Sequence, residues 1–240
     1  MNKKSPTAKN KKRPFVIGVT GSIGMGKSTV SDMFAEHDIP VNNADKDVHK
    51  AMGPGGAAVD VLAEKLPDTL RTDEDGQSYI DRGALAAHVF KDMSVLDLLE
   101  ETLHPIVGQI REDFVEDMAN DGYEIILCDI PLLFENDLDK EMDLTICVSA
   151  PEDVQKQRVL ARPGMTEEKL ESFLKRQMTD KDKRARADIV LDTSVSLNET
   201  KEQVEKIIKE IKDGTIKPKQ SQTSGVRNGR DRGRAYGGDN

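Results

Sequence analysis

The sequence predicts an α/β domain in which a parallel sheet of five strands is covered by helices on both faces. Short continuous apolar runs indicate buried strands, and amphipathic stripes with a helical period lie between them. A glycine-rich turn follows directly after the first of these strands. Strands and helices that alternate in this way are typical of a three-layer fold. The predicted strands are Phe15–Thr20, Ile39–Val41, Glu124–Asp129, Asp143–Val148 and Ile189–Asp192.

The helices between these strands are predicted from apolar spacing and from capping residues. A helix from Ser28 to His37 follows the first strand, because its apolar residues recur three and four positions apart. Ser149 stands three residues before Glu152, which is the spacing of a capping box and predicts a helix start there. A further apolar stripe follows Asn198 and predicts a last helix.

Residues 46–118 differ from the rest, because they contain helical stretches and no confident strand. The stretches lie around Leu85–Phe90, Leu96–Leu103 and Ile106–Met118. Pro105 separates the second from the third, and His104 before it is a candidate helix end. The segment is therefore predicted to be a helical insertion in the α/β domain.

Charge is divided unevenly along the chain. Residues 1–13 contain six Lys or Arg and no acid, and residues 214–240 contain six basic residues and two acids. Because the whole chain has a net charge of −9, the segment between them is strongly acidic. An acidic body repels nucleic acids and anionic membranes, so nucleic acid is disfavoured as a partner. Any anion that binds here needs a local, preorganised site.

The sequence also indicates the compartment. No window approaches the roughly 18 apolar residues of a transmembrane helix, and the basic N-terminus lacks the apolar segment of a secretory signal. Cys128 and Cys147 lie near the ends of apolar runs, which predicts buried, reduced thiols in neighbouring strands. These features predict a cytoplasmic protein.

The glycine-rich turn carries the most specific motif. Residues 21–28, GSIGMGKS, match G-x-x-x-x-G-K-[ST] between a predicted strand and a predicted helix. Gly21, Gly24 and Gly26 let successive backbone N–H groups point at one phosphate chain, and the helix N-terminus adds its unpaired donors. Lys27 is predicted to reach the β- and γ-phosphates of a nucleoside triphosphate, and the Ser28 hydroxyl to bind Mg²⁺. The predicted fold is thus that of a P-loop NTPase.

A P-loop does not by itself define the reaction. A GTPase is disfavoured because the guanine-reading motif N-K-x-D is absent. Asp73 and Gly76 do spell D-x-x-G, but no apolar strand precedes them. A motor or helicase would normally be larger than 240 residues, so a small kinase is favoured.

A kinase needs a group beside the acceptor hydroxyl that orients it and takes its proton. Asp45 follows the second predicted strand, and the carboxyl ends of parallel strands face the ligand crevice of such a sheet. Asp45 is therefore the candidate catalytic carboxylate, with a helix cap as its alternative role. Asp129 ends another strand and is a candidate to hold Mg²⁺ through water.

Several further motifs follow in a particular order. They are NADKDVH at 43–49, LHP at 103–105, DIPLLFEN at 129–136, RVLAR at 158–162 and QMTDKDKRARAD at 177–188. Together with TGSIGMGKSTV at 20–30, they resemble the dephospho-CoA kinase family in order and spacing, from about Phe15 to Ile211. The resemblance implies that ATP phosphorylates the ribose 3′-hydroxyl of dephospho-CoA to give CoA and ADP, the last step of coenzyme A synthesis.

The resemblance also implies an organisation and a set of site residues. Residues 14–213 would form a kinase domain with an acceptor-binding insertion at about 46–118 and a small lid at about 152–180. Composition, rather than the resemblance, predicts disordered ends at 1–13 and 214–240, because the tail has too few apolar residues to pack. The implied catalytic residues are Asp45 and Lys27, and the implied ATP-binding residues are Gly21, Gly24, Met25, Gly26, Lys27, Ser28, Thr29, Arg158 and Arg162. The implied acceptor-side residues are His49, Arg82, His104, Pro131, Leu132 and Glu135, with Ser28 and Asp129 at the metal.

Two positions depart from the family pattern. The family usually reads D-A-D where this chain has Asn43-Ala44-Asp45, which puts any secondary role of the first carboxylate in doubt. Thr193 stands where many relatives have Asn.

Two other functions compete with this interpretation. One is a P-loop kinase that acts on a nucleoside monophosphate or a small alcohol. The other is a nucleotide-dependent RNA-binding protein that uses the Arg/Gly-rich tail, although Tyr236 is the tail's only aromatic residue.

Overall fold

The computed structural model describes residues 12–219. Seven strands lie within them: β1 Phe15–Thr20, β2 Val41–Asn43, β3 Leu70–Thr72, β4 Ser78–Ile80, β5 Ile125–Asp129, β6 Leu144–Ser149 and β7 Ile189–Asp192. The first five helices are α1 Lys27–Ala35, α2 Ala44–Met52, α3 Val59–Lys65, α4 Arg82–Lys91 and α5 Ser94–Asp121. They are followed by α6 Glu152–Leu160, α7 Glu167–Arg176, α8 Asp180–Arg186 and α9 Leu197–Lys212, and 3₁₀ turns lie at Pro67–Thr69 and Leu138–Glu141.

A five-stranded parallel sheet forms the centre of the protein, in the order β2-β5-β1-β6-β7. The predicted α/β fold and the five strands are confirmed. β1 and β7 have the predicted bounds, whereas β2 begins two residues later than predicted. Ile39 packs into the core ahead of the strand, and the pairing with β5 runs only from Val41 to Asn43.

Alternating residues of the strands pack into apolar clusters on the two faces of the sheet. Ile17 and Val19 of β1 join a cluster with α1 and α9. Val16, one position away, joins a second cluster with Ile126, Cys128 and the C-terminal part of α5. Because successive side chains of a strand point to opposite faces, both faces are covered.

The predicted helical insertion has its own apolar core, built from α2, α3, α4 and the N-terminal half of α5. Its buried residues are Ala51, Met52, Ala58, Val59, Leu62, Leu66, Ile80, Leu85, Val95, Leu99 and Leu103. The prediction that this segment has no strand was wrong, because β3 and β4 pair as an antiparallel hairpin. Each strand has only three residues, which is too short for a periodic signal. The D-x-x-G string forms its turn, with Gly76 at φ 79°.

The expected break at Pro105 was also wrong. Helix α5 runs through it for 28 residues. Leu99 and Leu103 before the proline pack in the insertion, and Phe114 and Met118 after it pack on the central sheet. Proline removes one helical hydrogen bond, and burial at both ends of α5 offsets that loss.

The capping box predicted at Ser149 is absent. Ser149 is the last residue of β6, and its hydroxyl donates to Asp180 Oδ2 over 2.8 Å. Helix α6 instead begins after Pro151, whose fixed φ suits a helix start. The helix predicted there is confirmed, but Ser149 belongs to β6 and therefore does not cap the helix.

The two cysteines are free and buried, as predicted. They are not in neighbouring strands, because β1 lies between β5 with Cys128 and β6 with Cys147. Burial raises the pKa of each thiol to about 12.

The folded part reaches further than predicted at both ends. Arg13 Nη1 lies 2.7 Å from Asp143 Oδ2, and Lys219 Nζ lies 2.7 Å from Asp188 Oδ2. The remaining predictions of disorder, for residues 1–11 and 220–240, lie outside the described residues. No helix within 12–219 combines the length and apolar character of a membrane span.

Candidate active site

The glycine loop joins the end of β1 to the start of α1. Gly24 and Gly26 have φ values of 79° and 86°, in the left-handed region that favours glycine. Gly26 is the N-cap of α1, and a glycine has no side chain with which to cap it. The first N–H groups of α1 and the positive end of its dipole therefore face the loop, which is the arrangement that binds phosphate.

The loop is also closely packed from behind. A Cβ on Gly21 would lie 2.5 Å from Val148 Cγ2, and one on Gly24 would lie 2.5 Å from Val159 Cγ2. Met25 is buried, and its sulfur accepts a hydrogen bond from the N–H of Ala150. Met25 therefore offers a ligand only its backbone, and the motif's glycines are required by both conformation and space.

Lys27 lies at the centre of a charged cluster. Its ammonium pairs with Asp129 Oδ1, and both side chains are nearly buried. Asp129 Oδ2 accepts hydrogen bonds from Ser31 Oγ over 3.0 Å and from Asn43 Nδ2 over 3.1 Å. Parallel pairing of β2 with β5 sets Asn43 opposite Asp129. The residue that departs from the family pattern is thus a neutral donor to the buried carboxylate.

Asn43 has a second role at the start of α2. Its side-chain oxygen accepts from the N–H of Lys46 over 2.9 Å and caps this helix. An aspartate here would also cap α2, but it would place a second carboxylate beside Asp129. The amide serves both contacts without adding charge.

The residues predicted at the metal, Ser28 and Asp129, have different surroundings. Ser28 and Thr29 are exposed in the first turn of α1. Both oxygens of Asp129 are already bonded to protein groups. Their remaining lone pairs suit a water of hydrated Mg²⁺ better than direct coordination. Within residues 12–219, no group of three or more His, Cys, Asp or Glu side chains is arranged to hold a metal ion.

The predicted acceptor-side residues include a row along α2. Asp45 is exposed in the first turn of α2, two residues after Asn43. His49 lies four residues further and therefore on the same helix face. His49 Nδ1 lies 3.5 Å from Arg82 Nη1 at the start of α4. The structure thus brings His49 and Arg82, which are 33 positions apart in the sequence, together.

His104 is exposed on α5, the helix that packs against α2. Pro131 and Leu132 are half-buried in the loop that follows β5.

Glu135, in the same loop, is engaged within the protein. Its Oε1 lies 2.9 Å from Lys183 Nζ and also accepts from the N–H of Met178 over 2.8 Å. These contacts favour a positioning role over direct contact with a substrate.

The two arginines predicted to lie in a lid have different surroundings. Arg162 is exposed beyond the end of α6. Arg158 donates to Thr193, to its hydroxyl over 3.2 Å and to its carbonyl over 2.6 Å. Of the two, Arg162 is the more accessible to a nucleotide.

Sequence reasoning assigned no role to Thr193. Its hydroxyl donates to the carbonyl of Met25 over 2.8 Å and accepts from Arg158. A Cβ on Gly26 would lie 3.3 Å from the Thr193 hydroxyl oxygen. Thr193 therefore supports the glycine loop from the end of β7, and no local sequence signal indicates such a long-range contact.

A glycine loop opening α1, with its lysine paired to the acid at the end of β5, defines a P-loop nucleotide-binding protein. The family model described as dephospho-CoA kinase matches residues 15–199. The chain therefore belongs to the dephospho-CoA kinase family.

Individual relatives agree with this assignment. The chain is 46% identical over 201 residues to a Novosphingobium aromaticivorans protein named dephospho-CoA kinase. The alignment covers 84% of this chain and 96% of that protein. A Brucella melitensis protein of the same name is 44% identical and covers 81% and 94%. The structure of TT1252 from Thermus thermophilus superposes with a TM-score of 0.69 at 31% identity, over 83% of this chain and 99% of that one. A Campylobacter jejuni dephospho-CoA kinase structure has a TM-score of 0.64 at 22% identity, over 84% and 98%, and shares the fold.

Proposed function

We propose that the protein transfers the γ-phosphoryl group of ATP to the ribose 3′-hydroxyl of dephospho-CoA, giving CoA and ADP. One observation carries the proposal: the family match over residues 15–199 includes the ATP loop, the α2 row and the loop after β5 in one chain. The 96% coverage of a relative with this name also supports it.

The donor side would act by positioning and by neutralising charge. Backbone N–H groups of residues 21–27 would hold the phosphates, and Lys27 would leave Asp129 to reach the β- and γ-phosphates. The Lys27 side chain is 13% exposed, and this limited exposure next to the glycine motif supports such an exchange of partners. Mg²⁺ bound near Ser28 would neutralise charge on the phosphates. Asp129 would hold that ion through water.

The acceptor side would present the hydroxyl. Asp45 would accept the proton of the 3′-hydroxyl, because it is an exposed carboxylate just past the end of β2, one strand from Asp129. His49 on α2 and Arg82 on α4 lie 3.5 Å apart and would supply donors to an anionic acceptor. Arg162 would neutralise phosphate charge from the lid and limit hydrolysis by water.

The remaining proposals concern the protein's setting. Two buried, free thiols suit a reducing compartment, which supports a cytoplasmic location. The acidic net charge of −9 supports a small-molecule acceptor over nucleic acid.

A coupled ADP-release assay tests the proposal. ATP–Mg²⁺ is supplied with dephospho-CoA, AMP, CMP or shikimate in parallel reactions. We expect turnover above the acceptor-free rate only with dephospho-CoA. Preferential use of AMP would instead indicate a nucleoside monophosphate kinase.

A further inference from the structure

The run QMTDKDKRARAD at 177–188 contains four cations without a role in the proposed chemistry, and two of them, Lys183 and Arg186, contact the loop after β5. Lys183 on α8 is fully buried. Its ammonium lies 2.9 Å from Glu135 Oε1 and donates to the carbonyl of Pro131 over 2.9 Å. A buried ammonium is costly unless it is paired and hydrogen-bonded, and here nearly all of its donors are directed at the loop after β5.

Arg186, one turn further along α8, contacts the same loop. Its guanidinium donates to the carbonyl of Phe134 over 3.0 Å and lies 2.7 Å from both Asp137 and Asp139. It also stacks over the Phe134 ring at 5.2 Å. The hydrogen bonds to Asp137 and Asp139 hold the pKa of Arg186 above its usual value. The loop at 131–139 is thus tied to α8 by two cations.

The segment that leads into α8 reaches both sides of the site. Gln177 Oε1 accepts from the N–H of Ile23 in the glycine loop over 3.3 Å. The N–H of Met178, the next residue, donates to Glu135. Lys183 Nζ also lies 3.5 Å from the hydroxyl of Thr20, the last residue before the glycine loop.

We propose that Lys183 and Arg186 are positioning residues that fix the loop at 131–139 relative to the glycine loop, and so set where the acceptor sits. The proposal rests on the proposed function in that the loop is taken to serve the acceptor. Glu135 acts through Lys183 and Met178 rather than by touching a ligand.

Substitution of Lys183 tests this role. Lys183→Met keeps the apolar stem and removes the charge, and Lys183→Arg retains the charge. Arg184→Gln is the matched control, because Arg184 is an exposed cation on the same helix. We expect Lys183→Met to raise the KM for dephospho-CoA about tenfold or more, with the Kd for ADP changed by less than about twofold. Lys183→Arg should recover part of that loss, and the control should match the wild type.

Hydrogen exchange supplies a readout that needs no substrate. Amides of residues 131–139 should exchange faster in Lys183→Met than in Arg184→Gln, while those of residues 23–30 remain unchanged. If Lys183→Met fails to fold, the same measurements are made on Arg186→Gln. That variant is expected to fold, because the Arg186 side chain is about a third exposed. Unchanged exchange and unchanged acceptor KM in the folded variant would overturn the proposal. If the wild type does not phosphorylate dephospho-CoA, the proposed function is refuted. Hydrogen exchange at residues 131–139 would still test whether Lys183 and Arg186 fix the loop.

Discussion

The donor and acceptor sides of the site are built in different ways. The proposed donor side is a contiguous stretch, residues 21–29, that would bind mainly through its backbone and one lysine. The proposed acceptor side comes from α2, α4, α5 and the loop after β5, and it depends on contacts between distant segments, such as those of His49 with Arg82 and of Glu135 with Lys183. A contiguous backbone motif can be recognised from sequence, whereas an assembled surface requires the packing that brings its parts together.

The largest effect is expected from Lys27→Ala on the donor side. It removes the cation that would neutralise the transferring group and leaves the buried Asp129 without its charged partner. We expect kcat/KM to fall by at least about 10³-fold. Steady-state kinetics checks this, with circular dichroism to confirm folding. Activity within about tenfold of the wild type would contradict the role of Lys27.

On the acceptor side, Asp45→Asn should be nearly as damaging. The variant keeps the shape of the side chain and loses the base, so kcat should fall about 10² to 10⁴-fold. Because Asp45 is exposed on α2, folding and ADP affinity should stay near wild-type values. Calorimetric titration with ADP separates these effects. If ADP affinity falls together with kcat, Asp45 belongs to the donor side.

Gly24→Ala tests the backbone basis of the donor side. The alanine would have to adopt a φ of 79°, and its Cβ would lie 2.5 Å from Val159 Cγ2. The loop must therefore shift. We expect ADP to bind at least about tenfold more weakly and stability to fall by about 1–3 kcal/mol. Gly122→Ala is the control, because it has a similar φ of 86° and open space around it. Equal ADP affinity in both variants would contradict the close-packing argument.

A smaller effect is expected where the two sides meet, at Asn43. Asn43→Ala loses the cap of α2 and the donor to Asp129, so stability should fall by about 1–2 kcal/mol. Asn43→Ser retains a capping oxygen but is too short to reach both partners, and it should recover most of the stability and less of the activity. Thermal unfolding and kinetics of the two variants test this. Equal recovery of both would mean that the contact with Asp129 has no catalytic effect.

The smallest effect concerns the thiols in the central sheet. Because burial raises both pKa values to about 12, almost no thiolate exists at neutral pH. We expect iodoacetamide to leave Cys128 and Cys147 unmodified in the native protein and to modify both in denaturant. Mass spectrometry checks this. Rapid native labelling would show that the sheet opens locally.

Much of the fold followed from local patterns. Continuous apolar runs located all five strands of the central sheet, because strands buried on both faces carry few polar residues. The β3–β4 hairpin was missed because its three-residue strands have no measurable period. The continuity of α5 through Pro105 was missed because tertiary packing outweighed a local breaker.

The candidate site likewise contains residues that a local motif identifies and residues that only long-range packing identifies. The glycine loop and Lys27 could be assigned from one motif with a physical rationale. The link between Lys183 and Glu135 spans 48 positions, and that between Thr193 and Met25 spans 168. Such contacts have no local signature, so only the folded chain reveals them.

The most direct test of the account is the position of the transferred phosphoryl group. The wild-type protein is incubated with ATP–Mg²⁺ and either dephospho-CoA or its 3′-deoxyribose analogue, and the products are examined by ³¹P NMR. The account predicts a new 3′-phosphomonoester on dephospho-CoA and no product with the analogue. Phosphorylation of the analogue, or of any other hydroxyl, would contradict it.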